Sequence, residues 1–176
     1  DVNKRNKKGE TPLLLARLKK DHNMVLFLLQ MGADWREESD GGLATLVFAC
    51  ENGHYDIVKL LIKQKIGDLL NQRDNIGRTP LYFAVEIGKA KVVDILLNNG
   101  ADATRTAKVT GMRKGGVISY ECTPLHEACY RLGEPILSPW LESFFVSKEG
   151  CADIHIDIVK LLVHSIRKNS KTRDDD

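Results

Sequence analysis

The sequence has 176 residues, enough for one domain with a sizeable core, and 43% of them are hydrophobic. No apolar run approaches the ~18 residues that a membrane-spanning helix needs, so we expect no direct membrane insertion. The 26 basic and 24 acidic residues leave a net charge of +2, which argues against a nucleic-acid-binding surface built on bulk charge.

A short motif recurs along the chain. Thr-Pro-Leu stands at 11–13, 79–81 and 123–125, and a degraded copy, Ala-Thr-Leu, stands at 44–46. An alanine follows each motif leucine by three residues, and successive copies are 33, 35 and 44 residues apart. A period near 33 indicates an array in which each copy is one supersecondary unit.

Each unit is predicted to contain two short helices. The motif proline suits the first helical turn, and the threonine before it can cap the helix start. The second helix carries an apolar stripe, which in the first unit consists of Met24, Val25, Leu28 and Leu29. Gly32 and Gly100 suit the residue that ends such a helix. Because neither helix can bury its stripe alone, the units must stack.

These features resemble the ankyrin repeat family, through TPLLLA, TPLYFA and TPLHEA, NGHYDIVKLL at 52–61, and the two GAD sequences. The resemblance implies an all-α solenoid of helix-turn-helix units with finger hairpins. It implies a repeat domain over residues 1–165 and a polar tail over 166–176. The expected repeats are about 4–36, 37–71, 72–104 and 105–165. Residues 1–3 are similar to the end of a GADVN hairpin, which implies a further repeat upstream in a longer protein.

Two insertions interrupt the fourth repeat. The first, near 106–120, contains three glycines beside Val117 and Ile118 and can form a lengthened finger hairpin. The second, near 134–155, contains Ser138-Pro139 as the start of an extra helix with an apolar face, Trp140, Leu141, Phe144 and Phe145. We expect this helix to pack on the repeats as a lid, because bare apolar patches are uncommon. The alternative is a partner-binding knob or a membrane-touching segment.

The sequence contains no phosphate-binding loop, no dinucleotide fingerprint, no His-Glu-x-x-His and no nucleophile elbow. We therefore expect no enzyme activity and no cofactor. Zinc is a weighed alternative, with Cys122, Cys151 and His155 as its ligands. We expect no metal, because His126 suits a local bond in its turn and Cys50 and Cys129 suit small buried slots. Cysteines without close pairing also favour a reduced intracellular compartment, cytoplasmic or nuclear.

Function is inferred from the resemblance, which implies a protein-protein interaction module that binds another protein on a concave face. The finger hairpins and first helices line that face in the family. The candidate partner-binding residues are Lys8, Leu43, Ile76, Arg78, Ile87, Tyr130 and Arg131. Two alternatives stay open, the regulatory ankyrin domain of an ion channel, in which long fingers occur, and an enzyme with its site in the insertions.

Asn3 and Asn71 each stand eight residues before a motif threonine. In some members of the family the asparagine at this position is a target of asparaginyl hydroxylase, so both are candidate modification sites. The alternative is that asparagine simply suits a turn there.

Overall fold

The computed structural model describes residues 1–37, 42–113, 116–131 and 151–171. Within these ranges the chain forms eight α-helices, arranged as four consecutive pairs, and one β-hairpin. The helices are α1 (Pro12–Leu18), α2 (His22–Gln30), α3 (Leu43–Asn52), α4 (Tyr55–Lys63), α5 (Pro80–Glu86), α6 (Ala90–Asn98), α7 (Pro124–Arg131) and α8 (Cys151–Lys171). The strands are β1 (Ala107–Arg113) and β2 (Gly116–Cys122).

The threonine-proline pair starts helices as the sequence predicts. Thr11 Oγ1 accepts a hydrogen bond from the amide of Leu14 at 3.1 Å, and Thr79 Oγ1 accepts one from the amide of Tyr82 at 3.3 Å. Proline is the first residue of α1, α5 and α7. The threonine satisfies an amide that the first turn leaves without a partner, and proline has no amide to satisfy, so the pair fixes the helix start.

The helix pairs stack into two layers, which confirms the predicted solenoid. In one layer, α2 packs against α4, α4 against α6 and α6 against α8. In the other layer, α3 packs against α5 and α5 against α7. Motif leucines and second-helix valines fill the core between the layers, among them Leu13, Leu46, Leu81, Val25, Val58 and Val93.

The second unit departs from the prediction at Leu43. The residue equivalent to the motif proline is Thr45, yet α3 begins at Leu43, directly after Gly42. Leu43 therefore lies in the first helical turn and is only 6% exposed, so its assignment to the partner-binding set is wrong. Gly42 has a φ of 90°, and a Cβ there would lie 2.2 Å from Cε3 of the buried Trp35. Glycine is thus required at the turn that brings Leu43 inward.

The insertion near 106–120 forms the predicted finger. β1 and β2 pair antiparallel, with Ala107 opposite Cys122 and Arg113 opposite Gly116. This hairpin is tied to the preceding finger, since the amide of Lys108 donates to the Ile76 carbonyl at 2.7 Å. The long finger therefore extends the row of shorter fingers.

The last helix is longer than expected, because α8 continues through Lys171 and the predicted polar tail from 166 is helical up to that residue. The residues after 165 contain no glycine or proline to stop the helix. Ile166 keeps the apolar stripe in phase and packs on the core. The extra helix predicted near 138–146 lies outside the described residues. Neither α8 nor another helix of the described ranges is long and apolar enough to cross a membrane.

Candidate protein-interaction surface

The fingers of repeats one and three close with the same turn. Asp74 Oδ1 accepts hydrogen bonds from the amides of Ile76 at 3.0 Å and Arg78 at 2.8 Å. In the first finger, Asn6 Oδ1 accepts in the same way from the amides of Lys8 at 2.9 Å and Glu10 at 3.0 Å. A side chain that bonds the backbone two residues on is the local cause of such turns. Lys8 and Ile76 are consequently equivalent fingertip residues, and both are exposed.

Arg78 holds the base of the third finger against the end of α5. Its Nε donates to Asp74 Oδ2 at 2.9 Å, and its Nη1 lies 3.9 Å from Glu86 Oε2. Its guanidinium carbon also lies 4.3 Å from the centre of the Phe83 ring. Ile87 follows Glu86 as the C-cap residue of α5. The Arg78–Glu86 contact therefore links the finger that carries Ile76 to the helix end that carries Ile87. We call the surface formed by the fingers and the ends of the first helices the finger face.

Arg131 continues this network into the fourth repeat. Its Nη2 lies 3.4 Å from Glu86 Oε1, and its Nε donates to Glu127 Oε1 at 2.7 Å. Residues 45 apart in sequence thus become neighbours, as stacking predicts. Burial, and next the charge of Glu127, raise the pKa of Glu86, while Arg131 and Arg78 oppose that rise. The two arginines therefore hold a carboxylate that would otherwise resist ionisation.

Two apolar side chains project from this network. Ile76 is 44% exposed and Ile87 is 49% exposed, although the same repeat buries Leu81 and Val85 completely. Tyr130 is half-buried. Its burial is the main cause, and the electrostatic effect of Tyr120 the second, that raises its pKa to about 12. Arg78 and Arg131 thus both contact Glu86, while Ile87 and Tyr130 are the sequence neighbours of Glu86 and Arg131.

Lys8 lies two repeats away, on a basic finger. Around it, the exposed basic residues of the first unit are Lys4, Arg5, Lys7, Lys19 and Lys20. Lys19 ends α1 at the position that Ile87 occupies at the end of α5. The finger face therefore carries Lys8 and Lys19 in repeat one at the positions that Ile76 and Ile87 occupy in repeat three.

Sequence reasoning missed the carboxylates of this surface. Neither Glu86 nor Glu127 is among the candidate residues that the resemblance implies. The sequence did contain a signal for one of these contacts. Glu86 and Arg131 occupy neighbouring positions relative to the motif in successive repeats, so stacking brings the two side chains together. Sequence reasoning also missed a polar cluster at the starts of α2 and α4. There the His22 and His54 rings lie 3.9 Å apart, and His22 Nε2 lies 3.1 Å from Asp56 Oδ2.

Asn3 and Asn71 bridge successive units. Asn71 Oδ1 accepts from the amide of Asp102 at 2.8 Å, and its Nδ2 donates to the Gly100 carbonyl at 3.1 Å. Asn3 Oδ1 accepts from the amide of Asp34 at 2.8 Å. Asparagine therefore has a structural role at this position, and its hydroxylation stays a prediction.

The candidate metal ligands do not form a described site. Cys122 is buried, its thiol donates to the Thr123 carbonyl at 3.6 Å, and burial raises its pKa. His155 is buried in α8, and the Cys151 side chain lies outside the described residues. Among the side chains that are described, no three histidines, cysteines or acids stand close enough to hold a metal ion. His126 makes the expected local contact, with its Nδ1 2.7 Å from Thr123 Oγ1.

Comparison with known proteins agrees with this architecture. A family model described as ankyrin repeats (3 copies) matches residues 1–74 and 21–107. The chain is 30% identical over 110 residues to the E3 ubiquitin-protein ligase XBAT33 of Arabidopsis thaliana, covering 62% of this chain and 20% of that protein. It is 34% identical over 99 residues to ankyrin repeat domain-containing protein 63 of Mus musculus, covering 54% of this chain and 25% of that protein.

A bacterial protein shows the same likeness over more of its own length. The putative ankyrin repeat protein YahD of Escherichia coli K12 is 32% identical over 114 residues, which cover 61% of this chain and 56% of that protein. All three relatives are therefore matched over less than two thirds of their length. The family model spans more than half of the chain, and the helix pairs of the chain follow the recurring motif in register. The chain therefore belongs to the ankyrin repeat family.

Proposed function

We propose that this chain is a protein-interaction module that binds another protein, rather than nucleic acid or a membrane, on its finger face. The observation that carries the proposal is the exposure of Ile76 and Ile87, at 44% and 49%, beside two arginines held in place by carboxylates. Isolated apolar residues are ordinary on protein surfaces. Ile76 at a fingertip and Ile87 at a helix end form the apolar strip of this face, and the stacking of repeats does not require apolar side chains at either position.

Ordered arginines favour tight recognition at such a strip. Arg78 and Arg131 each contact two acidic side chains, so their rotamers are restricted before a partner arrives. Restricting a long side chain in advance lowers the entropy lost on binding. Aromatic and arginine side chains also dominate the energetics of protein interfaces. We therefore expect Tyr130 and Arg131 to contribute strongly to binding, together with Ile76 and Ile87.

The basic first finger extends the surface. A standard interface buries roughly 800 Å² on each partner, more than one finger presents, so a partner would span several repeats. Lys8 and the exposed basic residues near it would then meet the partner's acidic groups, which speeds association more than it adds affinity. The proposed partner is a protein of the cytoplasm or nucleus, and binding rather than catalysis is the proposed activity.

Site-specific photo-crosslinking tests the location of the site. A photoreactive amino acid at position 87 reports on the finger face, and the same group at position 94, an exposed site on α6, reports on the second-helix layer. Cross-links in cells should trap the same partner repeatedly from position 87 and not from position 94. Trapping from position 94 alone would contradict the proposed face.

A further inference from the structure

A small cavity lies between the third finger and the long fourth finger. It is lined by residues 73 and 75–77 of the third finger and by Thr106, Lys108 and Glu121 of the fourth. Its volume is about 160 Å³. At ~30 Å³ for each water molecule, this is room for about five waters, which a side chain of a partner can displace. We call this cavity the finger notch.

The two fingers are joined at the notch. The amide of Lys108 donates to the Ile76 carbonyl at 2.7 Å, and Nη2 of Arg73 donates to the Thr106 carbonyl. Gly77 has a φ of 90°, and a Cβ there would lie 3.1 Å from the Thr106 oxygen. Glycine at position 77 therefore allows the close approach that forms the notch, so its walls are in place before a partner binds.

Positive charge is in excess at the notch. Arg73 and Lys108 are both exposed, and neither forms an ion pair with another described residue, whereas Arg78 on the same finger contacts two carboxylates. The acid at the notch is Glu121, which stands opposite Lys108 in the hairpin and accepts a hydrogen bond from Thr106 Oγ1 at 3.3 Å. Glu121 offsets one of the two cations, which leaves an excess of one positive charge.

We propose that the finger notch binds the carboxylate of an aspartate or glutamate side chain of the partner protein. This inference rests on the proposed function, because it names the group that the finger face recognises beside its apolar strip. A carboxylate brings one negative charge and so balances the notch, whereas a phosphate, with nearly two, would be repelled by Glu121. The guanidinium of Arg73 has further N–H groups besides the one that bonds Thr106, and its planar fork suits a carboxylate.

The chemistry of the notch also defines the neighbour of that acidic residue. Ile76 forms part of the notch wall and is 44% exposed. A partner segment that places its carboxylate between the fingers therefore brings an adjacent side chain against Ile76. We expect that adjacent side chain to be apolar, since its contact with Ile76 removes apolar surface from water.

An NMR titration with two capped dipeptides tests the notch without a known partner. Acetyl-leucyl-glutamyl-amide is the probe, and acetyl-leucyl-glutaminyl-amide is its uncharged match. At equal concentration, the glutamyl probe should shift the amide resonances of Gly77 and Lys108 at least about threefold more than the glutaminyl probe does, and added salt should reduce that difference by screening. Equal shifts from the two probes, or no shift from either, would overturn the proposal.

Variants of the notch separate charge recognition from a structural effect. Arg73→Gln with Lys108→Gln should remove the difference between the probes, although the backbone bond of Lys108 is kept. Arg105→Gln is the matched control, because Asp102 already neutralises this neighbouring arginine at 3.1 Å, and it should leave the difference unchanged. Glu121→Gln should increase the difference, since it removes the repelling carboxylate. The proposal fails if the control acts like the notch pair or if Glu121→Gln weakens binding of the glutamyl probe.

The partner trapped from position 87 distinguishes this proposal from the proposed function. The notch pair should lower the affinity for that partner about fivefold or more, as the loss of charge-assisted contacts implies. If Ile76→Ala with Ile87→Ala weakens binding and the notch pair does not, the finger face stands and the notch is overturned. If neither set weakens binding, both proposals are overturned.

Discussion

The hydroxyl of Tyr82 donates a 2.9 Å hydrogen bond to Oε2 of Glu127, across the contact between the first helices of the third and fourth repeats. Glu127 is 8% exposed, and its other oxygen accepts from Arg131. A buried carboxylate is tolerated only when donors of this kind surround it. The bond therefore couples α5 to α7 and supports the arginine next to the proposed binding strip.

Tyr82→Phe should destabilise the protein although it removes a single oxygen. The change leaves the buried carboxylate one donor short, which costs about 1–3 kcal/mol of unfolding free energy. Tyr55→Phe is the matched control, because Tyr55 is 48% exposed and should change stability by less than about 0.5 kcal/mol. Urea denaturation of both variants measures the difference, and equal midpoints would show that the bond contributes nothing.

Truncation of Leu43 should destabilise the protein much more than truncation of Leu18. Leu43→Ala empties a buried site at the start of α3 and should cost about 2–5 kcal/mol. Leu18→Ala alters a side chain that is 62% exposed and should cost no more than about 0.5 kcal/mol. Calorimetry of the two variants tests the corrected assignment. A Leu43 variant that melts like the parent would restore Leu43 to the surface.

The sequence pattern predicted helices where a local cause exists. Thr11 and Thr79 cap their helices through bonds to residues three positions on, so the motif alone locates α1 and α5. The second unit has no such pair, and its helix start depends on Gly42 fitting against Trp35. That fit is a tertiary contact, which explains why the boundary and the burial of Leu43 could not be predicted.

The candidate surface, like the helices, could be predicted from the sequence only in part. The resemblance to the repeat family correctly implied that Ile76 and Ile87 lie outside the core. It did not predict that Glu86 joins Arg78 to Arg131, since ion pairing depends on which side chains of adjacent repeats reach one another. The length of α8 was missed because a polar sequence without a breaker does not show where a helix ends.

Asn71→Ala should weaken the junction between the second and third repeats. It removes two hydrogen bonds to the backbone of residues 100 and 102, at about 0.5–1.5 kcal/mol each. Asn75→Ala, at an exposed fingertip, is the control and should be nearly neutral. Thermal melts compare the two. A larger loss from the fingertip variant would contradict the bridging role of Asn71.

Acid should destabilise the protein through His54. Burial, and next the neighbouring His22, lower the pKa of His54, with Asp56 opposing and Lys89 reinforcing the shift. The unfolded chain then binds the proton more readily than the folded one, so stability is full above the unfolded value of about 6.5 and falls as pH drops toward the lowered folded value.

Unfolding free energies measured from pH 8 to 5 should show this decline. His54→Gln should flatten it, while His164→Gln, an exposed position on α8, should not. An unchanged slope in the His54 variant would assign the acid sensitivity to other groups.

In the proposed function the finger face binds the partner protein, and the core only supports that face. The most direct measurement pairs partner affinity with unfolding free energy, using the purified partner trapped from position 87. Ile76→Ala with Ile87→Ala should weaken binding at least tenfold, about 1.4 kcal/mol, while costing no more than about 0.5 kcal/mol of stability at each site. Leu96→Ala, at a fully buried position, should cost about 2–5 kcal/mol of stability and leave the affinity of the folded protein unchanged. Unchanged affinity in the isoleucine pair, with binding abolished by alterations at 134–154, would contradict the account and place the site on the insertion.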